Sequence, residues 1–275
     1  MDDAPIFNPV ETRPARQWRR GAKNEGCGEA ITRPLADEAP VGLIYDGRPH
    51  AVLMATPADV EDLAVGFSLT ERIASPGQIE AIETETLAEG VQVKLTLAPE
   101  ARKARARARS RSLEGRSSCG LCGVERLAAA VRPLPRLPAG PVFRQGAIEA
   151  ALDALETQQA LGRLTRAMHA AAFANPDGSL AAVREDVGRH NALDKVIGAA
   201  VRQGLEPAAG FVIVTSRCSY EMVEKAAMAG FPLLVAISAP TALAIRKAEE
   251  ANLSLVALAR SDAFTVFAGP GRIAP

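Results

Sequence analysis

The 275-residue chain has no excess charge of either sign: 32 lysines and arginines are balanced by 32 aspartates and glutamates, with 3 histidines besides. A zero balance supplies no global pull toward nucleic acid or a membrane surface. The opening residues, Met1-Asp2-Asp3-Ala4-Pro5, have neither a basic region nor an apolar run, so no secretory signal is expected. Long hydrophobic runs are also missing. The uncharged stretch from Ala226 to Ile245 nominally has the length of a membrane span, but it carries Gly230, Pro232, Ser238, Pro240 and Thr241. It reads as a helix end, a buried strand and a second helix start, and a cytoplasmic protein with no membrane partner is expected. Cysteine is scarce, at 4 residues, and in a reducing compartment these form no disulfide scaffold. There is no internal repeat, and no low-complexity segment beyond an arginine-rich stretch.

What is present describes a globular protein. Hydrophobic residues make up 48% and charged residues 23%, which is enough apolar mass for a buried core. The length is about 1.8 times that of a typical ~150-residue domain, so two modest domains or one large one are expected. Residues 1–30, rich in Pro, Arg, Asn and Gly, read as a flexible tail. Val41–Tyr45, Asp46-Gly47 and Ala51–Met54 read as a hairpin. Thr56-Pro57-Ala58-Asp59 reads as a helix start with a hydroxyl cap, followed by Val60, Leu63, Ala64 and Phe67 at helical spacing. With a strand over 91–97, residues 31–100 form an N-terminal α+β domain.

Residues 101–142 differ in character. Between Arg102 and Arg116 there are seven basic residues and one acid, Glu114, and Leu113 is the one large apolar residue in 101–118. Such a stretch cannot offset its ordering entropy and reads as a mobile loop. A short helix over 124–131 and a connector with Pro133, Pro135, Pro138 and Pro141 follow. The loop has no aromatic residue on which bases could stack, so nucleic acid is not an expected partner.

Residues 143–275 read as a C-terminal α/β domain. Helical pattern over 143–164 is followed by apolar strand runs at 180–183, 211–214, 233–237 and 253–258 with helices between them. This alternation implies a largely parallel sheet with covering helices. Ligands of such sheets bind beyond the carboxyl ends of the strands, where helix N-termini gather. The segments there are Glu185-Asp186-Val187-Gly188-Arg189-His190-Asn191, Thr215-Ser216-Arg217-Cys218-Ser219, Ser238-Ala239-Pro240-Thr241 and Ala259-Arg260-Ser261-Asp262-Ala263. Capping accounts for Ser219 and Thr241. The Asp186–Asn191 cluster, with His190, and Arg217 point instead to a crevice for a small anionic ligand. His169 lies in an apolar, helix-like context and ranks below His190.

Cys119-Gly120-Leu121-Cys122 is the chemically distinctive motif. Neighbouring arginines and a helix start at about Gly123 both favour a thiolate. A zinc site would need further ligands at fixed spacing, and Cys27, Cys218 and the histidines are scattered, so no metal is expected. A zinc deaminase would need His-x-Glu before Pro-Cys-x-x-Cys, whereas the residue two after His169 is Ala171 and Ser118 precedes the pair. A thioredoxin-like oxidoreductase would set the pair on a strand-to-helix turn. An exposed, activated thiol with a second beside it also suits carriage of a sulfur atom as a persulfide. Residue chemistry alone stops at a reactive thiol pair plus an anion pocket.

The run Ser117-Ser118-Cys119-Gly120-Leu121-Cys122-Gly123, together with Glu185–Lys195, Thr215–Ala227 and Ser238-Ala239-Pro240-Thr241, resembles the formate dehydrogenase accessory sulfurtransferase family, as do Ala51–Met54 and Glu61–Phe67. The resemblance covers about residues 35–273. It implies a sulfurtransferase that takes sulfur from a cysteine desulfurase and passes it to the bis-molybdopterin guanine dinucleotide cofactor required by formate dehydrogenase. Cys119 would bear the persulfide and Cys122 would be the second thiol. The resemblance further implies a cytidine-deaminase-like C-terminal domain, a homodimer, and a cofactor-binding segment, able to take a GDP-like ligand, over Leu258, Ala259, Arg260, Ser261, Asp262 and Ala263. Arg166 and Ala167 stand where the family usually shows glycines, so His169 receives no role; 258–263 lacks a glycine often seen there, so its residues are assigned by position. A non-catalytic chaperone for the cofactor and a thiol oxidoreductase are the alternatives.

Overall fold

The structure is a computed structural model that describes residues 7–18, 28–108, 131–260 and 262–275. Two mixed α/β units share a helical seam. In the N-terminal unit, β3 (Ala39–Tyr45) and β4 (Arg48–Ala55) form the expected hairpin. Its turn residues, Asp46 and Gly47, both have positive φ (50° and 72°), as a two-residue turn between twisted strands requires. β5 (Ile79–Leu87) and β6 (Gly90–Leu97) complete a sheet of order β4-β3-β6-β5. The inward residues Val41, Leu43, Leu53, Val93 and Leu95 pack on Leu63, Ala64 and Phe67 of α1 (Val60–Thr70).

Three expectations for this half are corrected. The segment read as a tail carries β1 (Val10–Gln17), which pairs antiparallel with β2 (Glu29–Ala36) as a separate ribbon. The ribbon is mostly exposed, so apolar periodicity could not announce it, and Pro14 and Pro34 are tolerated because each strand has one neighbour. The arginine-rich stretch begins as α2 (Pro99–Ala108), not as a loop. Its Ala, Arg and Lys residues are strong helix formers, Ala101 is buried, Arg102 pairs with Asp46 (Nε to Oδ1, 3.1 Å) and Arg105 lies over the Tyr45 ring. Thr56 is not a helix cap. α1 starts later, after Asp59 at φ 52°, and the Thr56 side chain is buried elsewhere.

The C-terminal unit has three layers around a six-stranded sheet of order β13-β12-β11-β10-β8-β9. Its strands are β8 (His169–Ala174), β9 (Leu180–Asp186), β10 (Phe211–Val214), β11 (Leu233–Ala236), β12 (Ser254–Ala257) and β13 (Thr265–Ala268). One face carries α5 (Arg189–Arg202), α6 (Tyr220–Ala229) and α7 (Ala242–Glu250), with Val212, Val214, Leu234, Ala236 and Leu255 pointing into that core. The other face carries α3 (Gln145–Gln158), against which Phe211, Ile213, Leu233, Val235 and Val256 pack. The alternation of neighbouring strand residues between the two cores is the period-two geometry of a strand buried on both faces. A short α4 (Ala160–Thr165) precedes β8, and the two-residue strands β7 (Phe143–Arg144) and β14 (Ile273–Ala274) pair in parallel.

The sheet is mixed, not largely parallel. β10, β11 and β12 run parallel, but β8 is antiparallel to both of its neighbours and β13 is antiparallel to β12. The helix-like context expected around His169 is instead β8, whose sequence, His-Ala-Ala-Ala-Phe-Ala, is alanine-rich and favours helix. Its place between β10 and β9 overrides that propensity.

α1 joins the units. It is buried on nearly every side because one face meets its own sheet and the other meets α5. The helices approach so closely that only glycine fits at two reciprocal positions. A Cβ on Gly66 would lie 1.8 Å from the Asp194 carbonyl oxygen, and one on Gly198 would lie 1.8 Å from the Asp62 carbonyl oxygen.

Candidate functional site

The Glu185–Lys195 segment closes β9 and opens α5, and the chain itself takes up most of its polar groups. Asp186 is fully buried; its carboxylate accepts from the Thr56 amide (3.0 Å), the Gly188 amide (2.7 Å) and the Asn191 side-chain amide (3.0 Å). Lys195 Nζ, also fully buried, lies 2.7 Å from Asp186 Oδ2 and donates to the Thr56 carbonyl at 2.9 Å. Asn191 Nδ2 reaches the Met54 carbonyl at 2.9 Å, and Thr56 Oγ1 accepts from the Val187 amide at 3.1 Å. Glu185 accepts from the Leu161 and Gly162 amides at the start of α4 (2.8 and 2.6 Å). These contacts satisfy buried charge and polar backbone together, which is the condition for burying either. They make this stretch the polar joint between the two units.

His190, in the first turn of α5, is the exception. It is 4% exposed, and its Nε2 is buried with no hydrogen-bond partner. Burial, reinforced by the Arg189 and Lys225 cations, pulls the imidazole down to about 4 against the opposing pull of Glu221. It is therefore a neutral ring at ordinary pH, with one ring nitrogen unused. His169 opens β8 directly opposite Asp186 in the β8–β9 register. β8 runs against its neighbours, so its first residue stands at the same edge as the carboxyl end of β9. Burial and Arg189 also lower the pKa of this half-buried ring.

The other loops at this edge are joined into one rim by backbone hydrogen bonds. The Cys218 amide donates to the Ala239 carbonyl (3.2 Å), and the Thr241 amide donates to the Cys218 carbonyl (2.9 Å). The Leu258 amide donates to the Ser238 carbonyl (3.3 Å), and the Ala259 amide donates to the Ala236 carbonyl (3.2 Å). Arg217 and Arg260 are exposed on this rim, as are Asp262 and Ala263, while Ala259 is buried. The Arg260 amide donates to the Ala263 carbonyl at 2.9 Å. Leu258 has φ 52° and is 41% exposed, so a branched apolar side chain occupies a left-handed turn that glycine enters freely. Thr241 caps α7 as expected, its Oγ1 accepting from the Ala244 amide (3.2 Å), but the expectation for Ser219 is corrected: it stands at the N-cap position of α6 without a capping hydrogen bond, and its hydroxyl oxygen is buried without a partner. The N-termini of α5, α6 and α7, each bearing free amides and the positive end of a helix dipole, follow these strands.

Cys119, Cys122, Cys27 and Ser261, and all but the last residue of the helix expected over 124–131, lie outside the described residues. Among the described residues the one cysteine is Cys218, which is fully buried and whose thiol burial pushes up to about 12. At neutral pH it is no nucleophile.

A second polar cluster was not anticipated. Asp194 accepts from Thr70 Oγ1 (2.8 Å) and from Lys225 Nζ (2.7 Å at Oδ2). Asp62 pairs with Arg184 (2.7 Å) and Arg202 (2.7 Å). One signal for these was available. Asp194 and Lys195 sit between Leu193 and Val196, and Lys225 sits between Val223 and Ala226, so charges occupy core-facing helical positions.

Comparison with known proteins follows the same lines. The model of the FdhD/NarQ family matches residues 36–274. The sulfur carrier protein FdhD of Xanthomonas euvesicatoria pv. vesicatoria is 47% identical over 263 residues, spanning 95% of this chain and 93% of the relative. The sulfur carrier protein FdhD of Agrobacterium fabrum is 48% identical over 260 residues, spanning 94% and 96%. A solved structure from Desulfotalea psychrophila, described as that of a formate dehydrogenase accessory protein, superposes with a TM-score of 0.74 at 22% identity. It covers 96% of this chain and 99% of its own, so the two share a fold.

Proposed function

The chain belongs to the FdhD/NarQ family, and on that premise we propose that it is a sulfur carrier that works through a persulfide on Cys119. The observation that carries this reading is identity of 47% across 95% of the chain with a relative named for sulfur carriage. The buried, raised thiol of Cys218 supports it, because it takes that cysteine out of the chemistry. Of the three other cysteines, Cys119 and Cys122 form a pair beside a run of basic residues that favours thiolate, whereas Cys27 stands alone.

In the loading step, the Cys119 thiolate attacks the terminal sulfur of a persulfide on a cysteine desulfurase. A sulfur–sulfur bond forms on Cys119, and the desulfurase cysteine leaves as thiolate. Delivery as sulfide requires two electrons. The Cys122 thiol supplies them by attacking Cys119 Sγ, which leaves a Cys119–Cys122 disulfide for an external thiol to reduce. The acceptor in this reading is bis-molybdopterin guanine dinucleotide destined for formate dehydrogenase, and the protein acts as a cytoplasmic homodimer.

The rim formed by 215–219, 237–241 and 258–263 suits such an acceptor. Free amides at the N-termini of α5 and α6, with Arg189, Arg217 and Arg260, offer partners for phosphates. The unused His190 Nε2 and Ser219 hydroxyl are donors or acceptors for a polar heterocycle. Alanine substitutions test the assignment in a strain whose own carrier gene is deleted. Cys119→Ala abolishes formate dehydrogenase activity while the apoenzyme level is unchanged. Activity that persists with Cys119→Ala would transfer the role to a chaperone that binds the cofactor and carries no sulfur.

A further inference from the structure

The two units stack in layers: the N-terminal sheet, α1, then α5 with α6 and α7, the C-terminal sheet, and α3. At one end the stack closes with α3, whose outward residues include Glu149, Asp153 and Glu156. At the other end it closes with a sheet. Among the described residues, no helix packs on the face of β4-β3-β6-β5 turned away from α1. A sheet with one face in water alternates apolar residues inward with polar residues outward. β5 and β6 follow that rule, with Glu83, Glu85 and Lys94 outward. β3 and β4 break it. Opposite Pro40 and Gly42 of β3 stand Met54 and Val52 of β4, all on the outward face with Ile44. Val52 is 61% exposed and Met54 48%, and no other described element leaves two large apolar side chains so open.

The ways of covering this patch are few. β4 is a free edge of its sheet, but strand pairing there is obstructed: Asn191 Nδ2 occupies the Met54 carbonyl (2.9 Å), and Pro49 has no amide to give. The face remains. Its charged half holds Lys94 opposite Glu83 and paired with Glu85, a mixture that gives no single sign for a charged partner to read. Its apolar half is complementary to itself. A two-fold axis lying between two such sheets, across their strands, lays β3 and β4 of one copy on β3 and β4 of the other, so every contact is made twice. Four strands of seven to nine residues have a flat footprint of about 500 Å². Both copies together then cover about 1,000 Å², the size from which specific interfaces begin.

We propose that the bare face of the N-terminal sheet is the dimer interface, with a second copy of this chain packed face to face through Ile44, Val52 and Met54. The inference rests on the homodimer of the reading above and assigns it a surface. α1 and α5 lie between this face and the C-terminal sheet, so the two crevices stand at opposite poles of the dimer and are left uncovered by it. Layer spacings of about 10 Å put the two C-terminal sheets about 70 Å apart. Each copy then takes up sulfur without help from the other.

The test uses the full chain. Light scattering after size exclusion, over a series of protein concentrations, gives the mass and the dissociation constant. Val52→Glu/Met54→Glu raises that constant about a hundredfold or more, because the axis buries each new carboxylate twice in one apolar contact. Leu164→Glu, at an exposed position of α4, leaves it unchanged. Neither variant touches the N-terminal core, so far-ultraviolet circular dichroism matches that of the unsubstituted chain. Small-angle scattering of the unsubstituted dimer shows an elongated particle, with a second maximum of pair distances at about 70 Å. Sulfur loading by a cysteine desulfurase, read by mass spectrometry, is the same in the monomeric double variant. A dimer that persists in the double variant, or one whose scattering is compact, would overturn this face and leave the homodimer standing. A chain that is monomeric at every concentration would overturn both. Failure of the unsubstituted chain to take up sulfur would overturn the carrier reading and not the interface.

Discussion

The reciprocal glycines at the crossing of α1 and α5 allow a sharp prediction. In Gly66→Ala the new methyl starts 1.8 Å from the Asp194 carbonyl oxygen, whereas real Cβ contacts stay beyond 3.0 Å, so the helices must part by at least about 1.2 Å. The obstacle is helix backbone, which cannot swing aside as a side chain can. A radial gap of 0.5–1 Å already forfeits roughly a quarter to a half of each dispersion contact across the seam. The seam also carries the Asp62 pair with Arg202 of α5, and Arg184 of β9 holds the other Asp62 oxygen. Overpacking of this kind costs about 3 kcal/mol or somewhat more, at or above the upper end of the usual range. Gly198→Ala, facing the Asp62 carbonyl at the same 1.8 Å, should cost the same. One separation relieves both clashes, so the double variant should cost much less than the sum of the two. Urea unfolding followed by circular dichroism measures all three. Either single variant within about 0.5 kcal/mol of the parent, the range of ordinary surface substitutions, would refute the close crossing. Strict additivity would refute its reciprocity.

Further expectations rest on the joint and the crevice. Lys195→Met leaves the fully buried Asp186 carboxylate without its cation and should destabilise by about 3–5 kcal/mol, and adding Asp186→Asn should recover much of that. His190 is held at about 4 in the folded chain, below the usual value near 6.5, by burial and by Arg189 and Lys225, while Glu221 opposes and His169 lies nearby. The unfolded chain therefore binds the extra proton first: this contribution to stability is complete above 6.5 and is lost as pH falls toward 4. The loss is about 3 kcal/mol at most, and His190→Gln should flatten that part of a stability–pH curve. Cys218, with its thiol near 12, should resist alkylation at pH 8 until the protein is denatured, as peptide mapping after iodoacetamide will show.

Much of the fold was legible where side-chain chemistry is local. The strands β9 to β12 announce themselves as apolar runs between helices, and the β3–β4 hairpin through its Asp-Gly turn. The crevice edge follows from the alternation itself, since loops after parallel strands gather there. The failures share a cause. β1 and β5 are largely exposed edge or ribbon strands whose residues need no apolar face, and β8 is built of alanines that only their neighbours force into a sheet. α2 reads as a loop in the sequence because an arginine whose guanidinium lies over the Tyr45 ring looks there like solvated charge. The polar joint was invisible for a different reason. Thr56 and Asp186 are 130 positions apart, and nothing local reveals that a threonine amide will pair with that carboxylate. The Asp186–Asn191 cluster was rightly singled out as unusual. Most of it, however, serves the joint between the two units, and His190 is the member left with a free ring nitrogen.

Sulfur carriage itself is tested most directly by incubating the purified protein with an active cysteine desulfurase and free cysteine, then taking intact-mass and peptide spectra. The account predicts one added sulfur atom on the peptide containing Cys119 and Cys122, absent in Cys119→Ala and removed by a thiol reductant. No added sulfur, or sulfur on Cys27 or Cys218 instead, would contradict it.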